Sequence, residues 1–492
     1  MDESTRQTDP DLARRVPLPS PAPRRDARWG FFLFVGGAFA FLTVARVWQP
    51  GMFSDGLLYA SISRNLAQGI GSFWFPSYSS TDYPVFLEHP PLAFGLQAAA
   101  FLFFGDHLFV ERGYALVMGA GTGLLVMMIW GSTVGEKRYG WLPLVFWLLP
   151  STVTWVIVNN MLENTQALFT TMAMLAVVRS AKPDAASYRW SVVGGVAIIG
   201  AVLTKGPTGL FPVAGPILLA LVMRERAAQV LRAGVAMTGV LLAGIALILW
   251  SEGPRQALST YWHQQVISSV SGMREHAESR WVLWRHLKGV VFRMTYLLAV
   301  AWIVCLATAI RKHAVTAFHR PSRWVWFFLL AGMSASLPIA VSPKIMGSYL
   351  VPSIPMYALG FAGLVLPVVR LWLDEPRRSR PAGLVAGGLG CVFLAAAVAL
   401  PLLHRPLEPR DSSLVAELQA LPLQRGTTIG SCRSASSYGA YLQRFFQVSV
   451  DSSAQARRNQ FLHLKTEAGC AAPAGCRLIA AGRLLALFDC AR

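Results

Sequence analysis

The sequence predicts an all-α polytopic membrane protein of about eleven transmembrane helices, followed by a small C-terminal α/β extracytoplasmic domain. Three observations carry that prediction. Of the 492 residues, 54% are hydrophobic and 14% charged, against roughly 25% charged in an ordinary soluble chain, and the mean hydropathy is +0.45. The apolar residues gather in runs near the ~20 residues that cross a bilayer. The basic residues, which set a net charge of +19, fall in short clusters between alternate runs. A nucleic-acid-binding chain would carry them along one face or tail.

Residues 1–29 are rich in Pro, Arg and Asp without apolar periodicity, which predicts a disordered cytoplasmic tail. Spans then follow at 30–48, 112–131, 139–158, 162–179, 190–204, 206–223, 232–250, 289–310, 324–341, 348–371 and 382–403, making a membrane module of 30–403. The basic clusters, from Arg14 to Arg28, then Lys137 and Arg138, Arg179 to Arg189, Arg224 to Arg232, Arg311 to Arg323, and Arg377 to Arg380, all fall on one side. The positive-inside rule makes that side cytoplasmic. An odd number of spans then exports the tail 404–492, where four of the six cysteines (Cys432, Cys470, Cys476 and Cys490) lie. One or two disulfides are expected there, with three pairings open. Within the tail, Ser412 to Leu421 reads as a helix and Phe446 to Val450 and Leu478 to Phe488 as strands.

One segment decides this topology. Pro90 to Gly105 is apolar but only about sixteen residues, short of a span. Placed outside, it leaves a first external loop of 49–111 with a helix at Asp55 to Gln68; a second large external loop covers 251–288. If it crossed, the later basic clusters would face outward.

The outer ends of the spans collect ionisable residues: Asp55 after the first, Glu163 opening the fourth, Lys205 between the fifth and sixth, Lys344 between the ninth and tenth. Cations hold a phosphate and neutralise charge growing on it, while a carboxylate takes the proton of an attacking hydroxyl. The set therefore suits transfer from a lipid-linked phosphate donor at the membrane boundary. Plain structural readings compete with this. Asp55 could cap the helix that follows, worth about 1 kcal/mol, and Glu163 could answer a helix dipole. Lys205 and Lys344 could snorkel to headgroups, and Glu88 and His89 could belong to a simple turn before two prolines. His263 and His276, without a third nearby ligand, predict no dedicated metal site.

Taken in order, Asp55-Gly56-Leu57-Leu58-Tyr59-Ala60, Glu88-His89-Pro90-Pro91-Leu92, Gly105 to Arg112, Leu162-Glu163-Asn164, Lys205-Gly206-Pro207 and Lys344 to Pro355 resemble a known family over roughly residues 50 to 360. This family is the polytopic polyprenyl-phosphate-sugar glycosyltransferases of the GT-C fold. The similarity is to its bacterial branch of lipid A aminoarabinose transferases and protein mannosyltransferase-like enzymes. The resemblance implies that Asp55 is the catalytic carboxylate, that Glu88 and Glu163 support the acceptor or orient the site, and that Lys205, Lys344 and Tyr349 contact the polyprenyl phosphate. Tyr59, His89, His263 and Arg274, on the two external loops, complete the substrate-binding candidates. His89 and Glu163 depart from the Lys and Asp of the aminoarabinose enzymes, which leaves sugar and acceptor open.

The expected activity is inverting transfer of a sugar from an undecaprenyl-phosphate-type donor to an extracytoplasmic hydroxyl, on a lipid of lipid A type or on a protein, in a bacterial inner membrane. The alternatives are a transporter or flippase of a lipid-linked sugar and a non-catalytic scaffold. No nucleotide or redox cofactor and no nucleic-acid partner is expected; a divalent cation assisting the phosphate stays open.

Overall fold

The computed structural model describes residues 28–49, 51–181, 187–271, 281–312, 322–341, 345–403, 409–431, 438–452, 459–464 and 474–490. The calls on Lys344, Arg274, Cys432, Cys470 and the leader 1–27 lie outside them. The helices run in the order α1 (Trp29–Thr43), α2 (Ser54–Ala67), α3 (Leu92–Phe104), α4 (Val110–Thr133), α5 (Trp141–Leu148), α6 (Ser151–Val158), α7 (Leu162–Ser180), α8 (Ser187–Lys205), α9 (Gly215–Val222) and α10 (Ala227–Trp250). They continue with α11 (Glu252–Tyr261), α12 (Ser268–Val270), α13 (Trp281–Lys312), α14 (Arg323–Ser336), α15 (Ile354–Leu373) and α16 (Pro376–Leu402), then α17 (Pro409–Ala420) and α18 (Tyr438–Tyr441) in the tail.

By length and apolar composition, 8 of the described helices can cross a membrane, or 9 if α5 and α6, bent by 80° at Pro150, form one span. Two further passes are physical. The 35-residue run Tyr188–Val222 is not one rod. The chain turns back after α8 at Gly206, whose φ is +76°. The 3-10 stretch Gly206–Ala214 then returns along α8, close enough that a Cβ on Gly209 would meet the Ala201 carbonyl carbon at 2.6 Å. Helix α7, 19 residues long, opens with Glu163, Asn164, Thr165 and Gln166, which are too polar for a lipid-facing helix but buried here against its neighbours. Counting these two with the 8 or 9 apolar spans brings the described helices level with the eleven that the sequence predicts for a multi-pass membrane protein.

The first and last spans close the bundle on glycine. A Cβ on Gly30 would overlap the Gly383 carbonyl oxygen, and one on Gly37 the Gly390 carbonyl oxygen, so α1 and α16 meet backbone to backbone as small residues allow in membranes. Gly37→Val should therefore force the pair apart and cost about 1–3 kcal/mol, read as a lower melting temperature of the full chain in detergent. An unchanged melting temperature would remove glycine from that contact.

Helix α3 is 13 residues long, about 20 Å at 1.5 Å per residue, and it does not cross. Arg112, in the first turns of α4, donates from Nη1 to the carbonyl oxygens of Arg46 (2.5 Å) and Gln49 and from Nη2 to that of Gly51. The end of the first span and the start of the second are thereby pinned at one level, so the segment between them leaves and returns on the same side. The basic ends gather opposite. Tyr139 Oη donates to Asp374 Oδ1 (2.6 Å), which also faces Arg28 (3.3 Å) and Arg138 (3.4 Å). Arg226 Nη1 caps the end of α7 through the Ala181 carbonyl at 3.0 Å.

The tail is a small α/β lobe. Strands β1 (Thr428–Gly430), β2 (Ser449–Asp451), β3 (Gln460–Leu464), β4 (Arg477–Ala481) and β5 (Leu485–Asp489) form one mixed sheet in the order β2-β1-β3-β5-β4. The expected run Leu478 to Phe488 proves to be the β4–β5 hairpin, and its two flanking cysteines, Cys476 and Cys490, form a disulfide. The lobe sits on the loop that carries α2 and α3, on the side of the membrane module away from the Tyr139–Asp374 cluster.

Candidate functional site

Three helical beginnings converge on the side of the lobe. Asp55 is the second residue of α2, Glu163 the second of α7, and Ser348 and Tyr349 open the 3-10 stretch Gly347–Ser353 that leads into α15. Helix starts present unpaired N–H groups and a positive dipole end, which favours anions there. The cap position of α2 is Phe53, with no side-chain cap bond, so Asp55 sits inside the first turn and the capping reading of its carboxylate fails. Instead Asp55 lines a polar cavity of about 160 Å³ with Tyr59, Glu88, His89, Glu163 and Lys205. Seven of the ten nominated residues meet there: these six and Tyr349. His263 does not; it lines a neighbouring cavity of about 400 Å³ with Arg255 and Trp262, on the other side of Tyr261.

The charges inside are ordered. Lys205 Nζ, at the C-terminal end of α8, lies 2.7 Å from Glu163 Oε1 and 4.7 Å from the centroid of the Tyr349 ring. Glu163 is 1% exposed and Ser348 4%. Among the described residues and the Lys205 contact aside, no hydrogen bond of good geometry closes the Glu163 carboxylate oxygens or Ser348 Oγ, although these two side chains face each other. An ammonium carries three donors, so Lys205 keeps capacity beyond this ion pair. Tyr59 packs edge-on to His89 at 5.8 Å. Its burial, and then the nearby Asp55 carboxylate, push the phenol well above its ordinary pKa, so it stays a neutral donor. Glu88 accepts from Tyr83 Oη at 3.2 Å.

The polar chamber shares Glu88, His89, Glu163, Lys205, Gln265 and Tyr349 with a second cavity of about 500 Å³. Beyond these shared residues, its walls are largely apolar side chains of the stretches Gly206–Ala214 and Leu337–Val341, among them Leu210, Phe211, Pro338 and Ile339. The two form one site with a charged inner end and a greasy outer one, and Lys205 and Tyr349 stand where they meet.

Sequence reasoning missed the residues that hold Asp55 in place. Asn159 Oδ1 accepts from Phe53 N–H (2.9 Å), and Asn160, in the left-handed conformation at φ +51°, donates to the Gly56 carbonyl (3.1 Å). A Cβ on Gly56 would overlap the Asn159 carbonyl oxygen, which is why glycine follows Asp55. Gly56→Ala should shift the start of α2 and lower turnover by about tenfold or more, measured beside an unchanged yield of folded protein; wild-type turnover would free Asp55 from this contact. Gln265 and Ser348 were missed too, because an uncharged amide or hydroxyl gives no signal in a loop sequence. Among the described residues no group of three His, Cys, Asp or Glu side chains is placed to hold a metal ion.

No family model and no curated protein matches the sequence. Solved structures do match the fold. The structure of ArnT from Cupriavidus metallidurans bound to undecaprenyl phosphate aligns with a TM-score of 0.68 at 17% identity, covering 94% of this chain and 98% of that one. ArnT in the apo state aligns at 0.61 and 16% identity, over 94% and 97%. The apo oligosaccharyltransferase of Archaeoglobus fulgidus aligns more loosely, at 0.46 and 12% identity over 87% and 65%. The chain has the ArnT-like GT-C fold.

Proposed function

We propose that this protein is a membrane glycosyltransferase that moves a sugar from a polyprenyl phosphate, of undecaprenyl-phosphate type, to a hydroxyl of a lipid or protein acceptor on the extracytoplasmic side. The observation that carries the reading is the joined site, in which a carboxylate-lined chamber opens across Lys205 and Tyr349 onto an apolar cavity. A polyprenyl chain fits the apolar part and cannot leave the bilayer, so its phosphate stops where the cation stands. The ArnT structure that shares the fold was solved with undecaprenyl phosphate, which supports this class of donor. The clustering of basic residues at the opposite end supports an orientation with the N-terminus in the cytoplasm and the chamber outside.

In the proposed reaction the acceptor oxygen attacks the anomeric carbon and the sugar–phosphate C–O bond breaks. Its electron pair stays on the departing polyprenyl phosphate, and Asp55 takes the hydroxyl proton. Attack from the face away from the phosphate inverts the anomeric centre. Lys205 and Lys344 are proposed to answer the phosphate charge. Glu88, His89, Tyr59 and Glu163 are proposed to orient the sugar and acceptor, and Arg274 and His263 to contact substrate at the rim. A bacterial inner membrane is the proposed location.

The test is a deletion strain whose envelope lipids and proteins are compared with wild type by mass spectrometry. One sugar-bearing species should disappear while a polyprenyl-phosphate sugar accumulates, and purified protein should restore the species from that accumulated lipid. Vesicles in which the protein flips the labelled lipid without transferring its sugar would overturn the reading in favour of a transporter.

A further inference from the structure

Helix α2 has two working faces. Tyr59 lies four residues from Asp55, on the same side at 100° per residue, whereas Leu57 and Arg64 project from the opposite one. Asp55 and Tyr59 line the chamber. Met52 and Leu57 belong to the buried core of the C-terminal lobe, packed with Leu418, Ile429, Tyr441 and Leu487. The lobe therefore does not rest on α2 from outside; its core is completed by the helix that carries the chamber carboxylate.

Polar contacts fix the same interface. Tyr441 Oη receives the Met52 N–H (3.2 Å) and donates to the Met52 carbonyl (3.1 Å), three residues before Asp55. Arg64, 1% exposed, donates from Nη1 to the carbonyls of Gln443 (2.9 Å) and Arg444 (2.8 Å) and from Nη2 to Asn65 Oδ1 (2.8 Å). Those carbonyls lie in the π-helical turn Leu442–Phe446, and late helical carbonyls lack partners of their own. Next to it, Arg444 forks onto Glu111 of α4 (3.0 and 2.9 Å) and reaches Asp106 (2.6 Å). Two buried guanidinium groups are costly unless their donors are answered in fixed geometry. Both Nη atoms of Arg64 and all three nitrogens of Arg444 are engaged, and of the two groups, among the described residues, only Arg64 Nε is left without a partner. Their placement ties the lobe rigidly to the helix and to the start of the second span. Burial lowers the Arg64 pKa to about 10, which leaves it charged at neutral pH.

We propose that the C-terminal lobe is a positioning element for the Asp55 helix, acting through Arg64 and Tyr441, and not a module that captures the acceptor. The proposal rests on the reading of the chamber as the site of transfer. With α2 anchored by Asn159 and Asn160 on the membrane side and by the lobe on the other, the carboxylate keeps its distance to the reacting centre. Loosening the lobe then lowers the catalytic step and spares binding.

The test uses the full chain in lipid nanodiscs, with the donor lipid extracted from a deletion strain and that strain's envelope fraction as acceptor at varied concentration. Arg64→Met should lower kcat by about 10²-fold and Tyr441→Phe by about tenfold. Acceptor KM and undecaprenyl phosphate affinity should stay within about twofold, and Arg64→Lys should recover part of the loss. Resistance of the lobe to trypsin confirms that each variant is folded, and Tyr441→Phe, which removes one hydroxyl, serves if Arg64→Met is not. A raised acceptor KM at unchanged kcat would overturn the proposal and make the lobe an acceptor module. Unchanged kinetics in both variants would overturn it as well. Full turnover of an Asp55→Asn control would instead remove the chamber reading on which the proposal stands.

Discussion

Sugar transfer by an Asp55→Asn variant falls by about 10²- to 10⁴-fold, the usual contribution of a positioned general base, while its affinity for undecaprenyl phosphate stays near that of the wild type. Asparagine keeps the size of the side chain and its place in the first turn of α2, so the change isolates the proton acceptor from the packing. The chamber holds two other carboxylates, Glu88, which accepts from Tyr83, and Glu163, which pairs with Lys205, and both are intact in this variant. Initial rates with the donor lipid, beside retention of undecaprenyl phosphate by native mass spectrometry, separate loss of chemistry from loss of binding. Wild-type rates in Asp55→Asn would remove the base from this position.

The second large effect is on stability. Lys205→Met leaves the 1%-exposed Glu163 side chain as an unpaired buried charge, and breaking such a pair costs about 3–5 kcal/mol. Adding Glu163→Gln removes the orphaned charge, so the double variant regains most of the lost melting temperature. It does not regain undecaprenyl phosphate affinity, because the cation at the mouth of the apolar cavity is still missing. Melting curves in detergent and lipid retention give the two readouts. A double variant that holds undecaprenyl phosphate as the wild type does would take Lys205 out of the phosphate site.

The membrane module was legible because its signals are local and repeated: apolar runs set the passes, and arginine clusters marked the ends that the Tyr139–Asp374 and Arg226 contacts bring to one side. Asp55, Glu163 and Lys205 were legible because a charge at a span end stands out against an apolar background. What the sequence could not reveal depends on side chains that meet across long separations. Nothing in Asn159 and Asn160 says that they face residues 53 and 56. Nothing in Met52 or Leu57 says that they complete a core more than 350 positions later. His263 shares a loop with Gln265 of the chamber, but it lines the neighbouring cavity together with Tyr261, whose hydroxyl packs against Gly206, a separation that loop membership does not reveal. The run 139–158 gives no sign of its bend, where Pro150 leaves the helical region at ψ 117° and turns α6 away from α5.

The glycine-lined contact between α1 and α16 has a consequence for biogenesis. Helix α1 is translated some 350 residues before the surface it needs, from Gly383 to Gly390. Until then its narrow face meets only lipid, and the bundle stays open along that seam. Pairings so distant along the chain form slowly. Closure therefore waits for the final span to be inserted, and a ribosome product ending before it would present an unzipped N-terminal helix to the membrane's quality-control proteases.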